Sequence, residues 1–213
     1  MSKGGATLSP EPQARAQSAE RNLGTAERKP RIEPTPPPTY VGQVIHTQEG
    51  TMSDRSLELH PIGTISADEE GFTLDVDEPF RDALTGIEGF SHLNVLWWCH
   101  LLDKPEYRAI TISERPYRDA PDRLGIFATR SPLRPNPIAL TPVPVISVDV
   151  EHGIVRVPFI DAEPGSPILD IKPYHPAVDR IRDTTTPEWC AGWPQWYEDS
   201  ATFDWGAVFE NAQ

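Results

Sequence analysis

The sequence predicts an all-β fold, mainly antiparallel, with one or two short helices behind a disordered N-terminal tail. Residues 72–76 alternate between apolar and polar side chains after a glycine-containing turn, as a half-buried strand does. Residues 90–100 are the most apolar run and are long enough for a central strand. Residues 145–157 hold two β-branched runs around a His152-Gly153 turn, which predicts an antiparallel hairpin.

The first part of the chain predicts no packed structure. The protein has 213 residues with 24 prolines, and much of its proline lies in the first fifty residues, which have almost no aromatic or β-branched clusters. Such a segment buries too little apolar surface to offset its ordering entropy. We therefore predict a disordered Pro-rich leader over residues 1–55, with local polyproline II structure at 34–38. Met52 is a candidate for the natural start.

The ordered part of the chain is expected to begin near residue 56. The first predicted elements are a strand at 60–65, a turn at 67–71, the strand at 72–76 and a helix at 77–84. Acidic residues precede Pro79, which suits the first turn of a helix because proline has no backbone donor to leave unpaired.

The central strand at 90–100 contains two histidines, His92 and His100. Their separation of eight positions predicts that they share one strand face. A structural role in the apolar strand competes with ligand binding for each. Residues 103–123 then predict an exposed, charged excursion with a small strand at 110–112.

The stretch at 125–140, GIFATRSPLRPNPIAL, is the one most suggestive of a site. Residues 124–129 predict a buried strand, and three prolines in the next eight residues predict a stiff, non-helical loop carrying Arg130 and Arg134. A guanidinium on a pre-ordered backbone loses little entropy on binding a carboxylate or phosphate. The alternative is a Pro-rich connection with solvated arginines.

A second polar stretch runs from residue 161 to 174 and begins with a Pro-Gly turn. Three polar side chains at every second position would share one strand face: Asp170, Lys172 and Tyr174. Leu169 and Ile171 would then lie on the opposite face. The polar side chains could face a substrate or form an internal brace of ion pairs and hydrogen bonds.

Composition limits the possible functions. The net charge of −13 argues against a general nucleic-acid coat, although residues 101–140 hold seven basic and five acidic residues. The two cysteines, Cys99 and Cys190, require neither a disulfide framework nor a zinc site, so we predict a cytoplasmic protein without a metal. No apolar run is long enough to cross a bilayer, and no membrane partner is expected.

Two motifs, FATRSP-x-RPNPI at 127–138 and GSPILDIKPY at 165–174, resemble the TsaA/TrmO-like family of S-adenosylmethionine-dependent methyltransferases. The similarity extends over roughly residues 60–182, and we assign residues 56–182 to this domain. It implies a small antiparallel β-barrel and a homodimer with S-adenosylmethionine near the subunit interface. The activity implied is N6-methylation of N6-threonylcarbamoyladenosine, beside the anticodon of tRNA.

The resemblance also implies the site. Cofactor contacts are expected from His100, Leu101, Arg130, Leu140, Asp161, Pro164, Gly165 and Asp170. Arg130 would pair with the methionine carboxylate, while Asp161 and Asp170 would accept from its amine or face the sulfonium. No catalytic residue is identified; the candidates for acceptor contact or catalysis are Arg134, Asn136, Lys172 and Tyr174.

Departures from the family pattern keep other functions open. The loop at 66–71 is shorter than in tRNA-modifying members, and a tryptophan-rich tail at 183–213 stands where bacterial members have an accessory domain. A methyltransferase for a small anionic metabolite, favoured by the acidic body and the short loop, is one alternative. A non-catalytic S-adenosylmethionine-binding protein is another. We expect the tail to pack on the barrel or on a dimer partner, with base stacking as the alternative.

Overall fold

The computed structural model describes residues 57–211, so the predicted leader at 1–55 and the candidate start at Met52 lie outside the described residues. The strands are β1 (Gly63–Asp68), β2 (Gly71–Val76), β3 (His92–Trp98), β4 (Ile112–Glu114), β5 (Arg123–Gly125), β6 (Ile138–Pro144), β7 (Ser147–Asp149), β8 (Ile154–Val157) and β9 (Pro167–Pro173). Every pairing between these strands is antiparallel. The predicted all-β, mainly antiparallel fold is confirmed.

The helices are short. Three have four residues each: α1 (Pro105–Arg108), α2 (Pro176–Asp179) and α3 (Trp205–Val208). Turns of 3₁₀-helix occupy Glu78–Leu84, Ile87–Gly89, His100–Leu102, Ile126–Ala128, Glu188–Cys190 and Tyr197–Thr202. The helix predicted at 77–84 is thus a 3₁₀-helix, with its proline in the first turn as expected. Within residues 57–211 no helix has the length and apolar character needed to span a bilayer.

Seven strands form one sheet in the order β6-β3-β9-β1-β2-β8-β7, and β4 and β5 form a separate hairpin. The two edge strands, β6 and β7, follow each other in the chain. Val145 N–H donates to Ser91 O (2.9 Å), and Ile146 N–H donates to Arg156 O (2.8 Å), so one segment leaves the first edge and joins the other. The sheet is therefore curled. Among the described residues no ladder joins β6 to β7, so the predicted closed barrel is not found.

The core lies on the inner face of the curled sheet. In β3, Leu93, Val95 and Trp97 alternate inward, while the intervening side chains are partly exposed. The other buried apolar side chains of this cluster are Ile65, Leu74, Val76, Leu84, Cys99, Val143, Val155, Val157, Ile160 and Ile168. This packing holds the ends of β3, β6 and β9 together, and the candidate site lies beside those ends.

The strand predicted at 124–129 is wrong in its second half. β5 ends at Gly125, and a 3₁₀ turn follows at Ile126–Ala128. Thr129 closes this turn, because its N–H (3.1 Å) and its Oγ1 (2.9 Å) both donate to Ile126 O. Within the turn Ile126–Ala128 only Ile126 is buried, whereas Phe127 is 77% exposed. One buried side chain suffices to anchor a turn, so the apolar run needs no strand partner.

The predicted alternation along β9 holds for Asp170, Ile171 and Lys172 but is wrong at Leu169, because the strand contains a β-bulge there. Leu96 pairs with Asp170 and the next residue, Trp97, pairs with Ile168, which leaves Leu169 as the extra residue. Ile168 therefore enters the core in place of Leu169. On the polar side, Lys172 Nζ lies 2.5 Å from Asp170 Oδ2.

The two histidines do not share a strand face. β3 ends at Trp98, and His100 lies in the 3₁₀ turn that follows, so the prediction from their spacing is wrong. The hairpin of β7 and β8 is confirmed, with Gly153 in its turn at a φ of 75°. A Cβ at Gly153 would lie 2.4 Å from Val76 O, so glycine is required both for the turn and for this close approach.

Candidate functional site

The loop at 129–137, which we call the motif loop, is held by its own side chains. Ser131 N–H donates to Thr129 Oγ1 and Leu133 N–H donates to Ser131 Oγ, each at 3.2 Å. Leu133 and Pro137 are buried and anchor the loop to the rest of the domain. Together with the proline-restricted backbone, these contacts give Arg130 a defined position before any ligand binds.

Arg130 is anchored but not neutralised. Its Nη2 donates to Leu140 O at 3.2 Å, and no carboxylate of the described residues forms an ion pair with it. An arginine has five N–H donors in a planar fork. The remaining donors of Arg130 are therefore available to an anion, and anion binding stays a prediction.

Three cavities meet at Arg130 and Asp161, and both residues line all three. The strand cavity, about 470 Å³, lies beside the ends of β3 and β6 and is lined by Trp97 and His100. The arginine cavity, about 660 Å³, contains Arg134 and Leu140. The hairpin cavity, about 610 Å³, lies against the β4–β5 hairpin. We call the point that they share the Arg130–Asp161 junction.

The strand cavity contains most of the predicted cofactor residues. Those that line it are His100, Leu101, Arg130, Asp161 and Pro164. Its apolar wall includes Phe72 and Phe159, whose rings meet edge to face at 5.8 Å. Its volume falls in the range of roughly 300–1,000 Å³ typical of small-molecule pockets.

A tight turn forms the opposite wall of the strand cavity. Ser166 N–H donates to Glu163 O at 3.0 Å, with Pro164 and Gly165 at the two central positions and Gly165 at a φ of 87°. Ser166 is only 1% exposed, and its Oγ lies 3.2 Å from His100 Nδ1. The turn and the end of β3 are thus joined by a side-chain hydrogen bond.

The residues around the strand cavity fit S-adenosylmethionine. Arg130 offers a fork of donors for a carboxylate, while Asp161 and Glu163 offer negative charge to an ammonium or a sulfonium. The aromatic and aliphatic side chains of the same cavity provide an apolar surface for an adenine ring. The donor set and the apolar wall therefore match the two halves of the cofactor.

Cys99 also lines the strand cavity, but its environment keeps the thiol protonated. Burial of Cys99, assisted by the negative charge of nearby Asp161, raises the pKa of its thiol to about 11. A thiol protonated at neutral pH is a poor nucleophile. Cys99 therefore contributes packing to the cavity wall and no nucleophile.

The arginine cavity contains other predicted residues. Arg134 lies over the ring of Phe127, with 5.8 Å between its Cζ and the ring centroid. Asn136 Oδ1 accepts from Arg108 Nη2 at 3.4 Å, and Leu140 forms part of the wall. The guanidinium groups of Arg130 and Arg134 and the exposed ring of Phe127 thus line one cavity next to the junction.

Four predicted residues lie outside these three cavities: Gly165, Asp170, Lys172 and Tyr174. Asp170 pairs with Lys172 across the polar side of β9, and the Tyr174 ring lies 6.3 Å from the ring of His92. Asp170 and Lys172 thus form an ion pair of the kind that the spacing allowed as an alternative, while Tyr174 packs beside His92.

Sequence reasoning missed part of the strand cavity. The missed lining residues include Phe72, Trp97, Phe159, Glu163, Ser131 and Ser166. The two serines stand inside the motifs RSP and GSP, and that position was the one available indication. Within residues 57–211 no cluster of three or more His, Cys, Asp or Glu side chains is arranged to hold a metal ion.

The chain is similar to known proteins over the same region. Residues 55–180 match the tRNA-methyltransferase O N-terminal domain family. A probable S-adenosyl-L-methionine-binding protein of Methanothermobacter thermautotrophicus is 33% identical over 61% of this chain and 98% of its own length. The tRNA (adenine(37)-N6)-methyltransferase of Escherichia coli K12 is 36% identical over 49% of this chain and 44% of its own length.

Solved structures of TrmO match as well. The crystal structure of TrmO from Pseudomonas aeruginosa is 30% identical, with a TM-score of 0.47, and the match covers 62% of this chain and 61% of that one. The predicted family is confirmed, as are methyl transfer and S-adenosylmethionine as the cofactor. The chain belongs to the tRNA-methyltransferase O N-terminal domain family of S-adenosylmethionine-dependent methyltransferases.

Proposed function

We propose that this protein transfers a methyl group from S-adenosylmethionine to N6 of threonylcarbamoyladenosine in tRNA, in the cytoplasm. The observation that carries the proposal is the Arg130–Asp161 junction, where a cavity that fits the cofactor meets two further cavities. An acceptor in either of them reaches the junction without displacing the cofactor. The activity of the E. coli relative on adenine 37 of tRNA supports the choice of acceptor.

Bound S-adenosylmethionine supplies a methyl group on a sulfonium, which leaves as a neutral thioether. The chain must therefore hold the acceptor nitrogen and the methyl group in line, and such alignment accounts for about 7–11 kcal/mol of the barrier in favourable cases. Arg130 binds the methionine carboxylate, and the anchored motif loop sets its direction. With Glu163 facing the positive charge of the cofactor, the carboxylate of Asp161 at the junction would accept the proton that the acceptor nitrogen loses.

The arginine cavity supports an RNA acceptor. Phe127 is 77% exposed beside Arg134, and both residues line this cavity. An exposed aromatic ring next to a guanidinium is a surface on which a base can stack while its phosphate pairs with the cation. This local basic surface is the part of an otherwise acidic chain that could bind a tRNA strand.

Transfer to a small anionic metabolite is the second candidate. The turn between β1 and β2 contains only Glu69 and Glu70, so no loop from this hairpin covers the strand cavity. The two carboxylates add negative charge rather than a phosphate-binding surface. A small anion that binds Arg134 in the arginine cavity needs neither a covering loop nor an extended basic surface. A non-catalytic S-adenosylmethionine-binding protein is the third candidate.

We also propose a homodimer. Large apolar side chains are exposed around the junction, including Leu101 (58%) and Leu140 (47%). Exposed apolar patches of this kind mark protein interfaces. Leu140→Asp should shift the sedimentation coefficient of a wild-type dimer to that of a monomer, whereas Val178→Asp, at an exposed residue of α2, should not. A wild-type monomer at micromolar concentration would contradict the proposal.

The test of the acceptor is mass spectrometry of nucleosides from bulk tRNA of a deletion strain and its parent. We expect the N6-methyl form of threonylcarbamoyladenosine to disappear on deletion. Wild-type protein and the exposed-residue control Arg182→Ala should restore it, and Arg130→Ala should not.

An unchanged nucleoside profile, in a strain that makes the modification, would contradict the tRNA acceptor and favour a small metabolite. A purified protein that binds S-adenosylmethionine but forms no S-adenosylhomocysteine with tRNA or a cell extract would favour the non-catalytic candidate.

A further inference from the structure

Of the three cavities, only the hairpin cavity has no lining residue in a strand of the seven-stranded sheet. One wall is the β4–β5 hairpin with Ile112 and Tyr117, and another is the motif loop from Thr129 to Leu133. The third wall comes from the end of the described chain, through Phe209 and Asn211. The C-terminal segment at 183–211 therefore forms part of a cavity that opens at the Arg130–Asp161 junction.

Backbone contacts attach the C-terminal segment to the hairpin. Arg118 N–H donates to Val208 O at 3.0 Å, and Glu210 N–H donates to Pro116 O at 3.1 Å, on either side of a bridge between Tyr117 and Phe209. The segment thus extends the hairpin by a short antiparallel pairing. This pairing fixes the position of Phe209 in the cavity wall.

An ion pair between Arg115 and Glu210 also connects the hairpin to the C-terminal segment. Arg115 has a φ of 45°, a left-handed conformation that is uncommon for a residue with a side chain. Its Nη2 lies 2.7 Å from Glu210 Oε1, and its N–H donates to Asp122 O at 2.7 Å. Contacts on two sides therefore hold the strained backbone at the edge of the cavity.

The tryptophans of the C-terminal segment pack against one another and against the hairpin. Tyr117 stacks on Trp189 at 5.3 Å and meets Trp193 edge to face at 4.9 Å. Trp205 contacts Trp193 at 5.4 Å and Phe209 at 5.9 Å. The aromatic cluster supports Phe209 from behind, while 39% of the surface of Phe209 stays exposed.

The lining of the hairpin cavity is mainly apolar, and its charges balance. Ile110, Ile112, Ile126, Leu133 and Phe209 provide the apolar surface. Arg130 and Asp161 carry opposite charges, and Glu114 is paired with Arg123 at 3.0 Å. Ser113 and Asn211 add neutral hydrogen-bonding groups. Such a lining favours an uncharged planar group with polar edges over a free anion.

We propose that the hairpin cavity binds the heterocyclic ring that receives the methyl group, and that the C-terminal segment completes this acceptor site through Phe209 and Asn211. This inference rests on the proposed methyl transfer, since it places the acceptor on the side of the junction opposite the cofactor. The ring is a neutral nitrogen heterocycle of nucleobase size. The same chemistry is present in a free nucleoside and in a nucleotide of RNA.

A cavity-filling variant tests the site. Ile112→Phe adds volume inside the hairpin cavity, and Ile146→Phe makes the same change at an exposed isoleucine outside the three cavities. With tRNA carrying unmethylated threonylcarbamoyladenosine, Ile112→Phe should raise KM or lower kcat/KM by about tenfold or more. Its Kd for S-adenosylmethionine and its Tm should match those of the wild type, and Ile146→Phe should match the wild type throughout. Equal activity of the two variants would overturn the proposal.

A binding assay separates this site from the proposed function. Free N6-threonylcarbamoyladenosine is titrated into the protein loaded with S-adenosylhomocysteine, with quenching of tryptophan fluorescence as the readout, because Trp205 contacts Phe209. Saturable quenching in the wild type and in Ile146→Phe, weakened about tenfold in Ile112→Phe, supports the site even if no tRNA is methylated. Quenching that is absent in the wild type, or unchanged in Ile112→Phe, overturns the site even if tRNA is methylated. Binding of tRNA without binding of the free nucleoside identifies RNA as the source of the ring, provided that Ile112→Phe weakens it.

Discussion

Two arginines of this domain, Arg156 and Arg130, have different surroundings. Arg156, on β8 at the far side of the sheet, donates to Asp68 Oδ2 at 2.7 Å and Oδ1 at 3.0 Å, and also to Thr73 Oγ1 at 2.6 Å. Arg130, on the motif loop, donates to a single backbone carbonyl and forms no ion pair with any described residue. The guanidinium of Arg156 is neutralised by a carboxylate that it binds with two nitrogens, and the guanidinium of Arg130 has no carboxylate partner among the described residues.

The difference separates structural from ligand-binding charge. A guanidinium that is already paired with a carboxylate of its own fold contributes to stability and offers little net charge to an anionic ligand. An anchored guanidinium with free donors at the junction of three cavities gains most of its interactions when an anion arrives. Variants of the two arginines should therefore affect different measurements.

Arg130→Ala should give the largest effect. We expect kcat/KM for methyl transfer to fall about 100-fold, because the methionine carboxylate loses its charged partner, while Tm stays that of the wild type. The kcat/KM of Arg130→Lys should lie between those of the wild type and of Arg130→Ala, since lysine keeps the charge without the planar fork. Steady-state kinetics and thermal unfolding measure both quantities. A large fall in Tm for Arg130→Ala would show that Arg130 is structural.

Cys99, which lines the strand cavity beside the junction, should give the next largest effect, on the pH dependence of its alkylation. Because its pKa is raised to about 11, its alkylation rate should rise with pH around that value and not around the ordinary value of 9.0. The raised pKa also means that the stability associated with the protonated thiol is present below pH 9.0 and is lost as pH rises toward about 11. Alkylation by iodoacetamide, followed by mass in a Cys190→Ala background, measures the profile. A midpoint near the ordinary value would contradict the buried environment.

Asp68 and Arg156 should show the smallest effect, on stability alone. The side-chain hydrogen bond from Arg156 lowers the pKa of Asp68 from 3.8 to about 2. The stability that Asp68 contributes is therefore present above pH 3.8 and lost as pH falls toward about 2. Arg156→Ala should remove this acid-dependent component, with unchanged kcat/KM. Because the pair is solvent-exposed, added salt should reduce the difference.

The acid-dependent component is measured by denaturant unfolding of both proteins across that pH range. An Arg156→Ala variant with wild-type stability at every pH would show that the ion pair contributes nothing. A fall in activity at wild-type stability would instead place Arg156 with the ligand-binding residues.

Local pattern was sufficient where one residue's neighbours in sequence are also its neighbours in space. The hairpin of β7 and β8 and the turn at 163–166 follow from β-branched runs and from glycine and proline at turn positions. Arg130 could be singled out as a candidate binding residue because the stiffness of its loop is itself encoded by proline. The two motifs also sufficed to identify the family.

Local pattern failed where long-range pairing decides. The bulge at Leu169 puts Ile168 in the core in place of Leu169, because β3 and β9 pair out of step at this point, and alternation within β9 carries no trace of that register. The 3₁₀ turn after β5 likewise depends on the burial of the Ile126 side chain, which is set by the packing of distant segments. The curling of the sheet depends on Val145 and Ile146, which donate backbone hydrogen bonds to Ser91, next to β3, and to Arg156, in β8.

By itself the sequence determined the antiparallel β class, the family, and the side chains from which a cofactor site could be built. Tertiary structure alone decided that Arg130 and Asp161 share one junction, that Asp170 pairs with Lys172 away from the cavities, and that Phe209 closes the hairpin cavity. The physical reason is the separation along the chain over which each interaction acts. Turn geometry and apolar periodicity act between near neighbours, whereas a cavity is formed by segments that only the packing of the whole domain brings together.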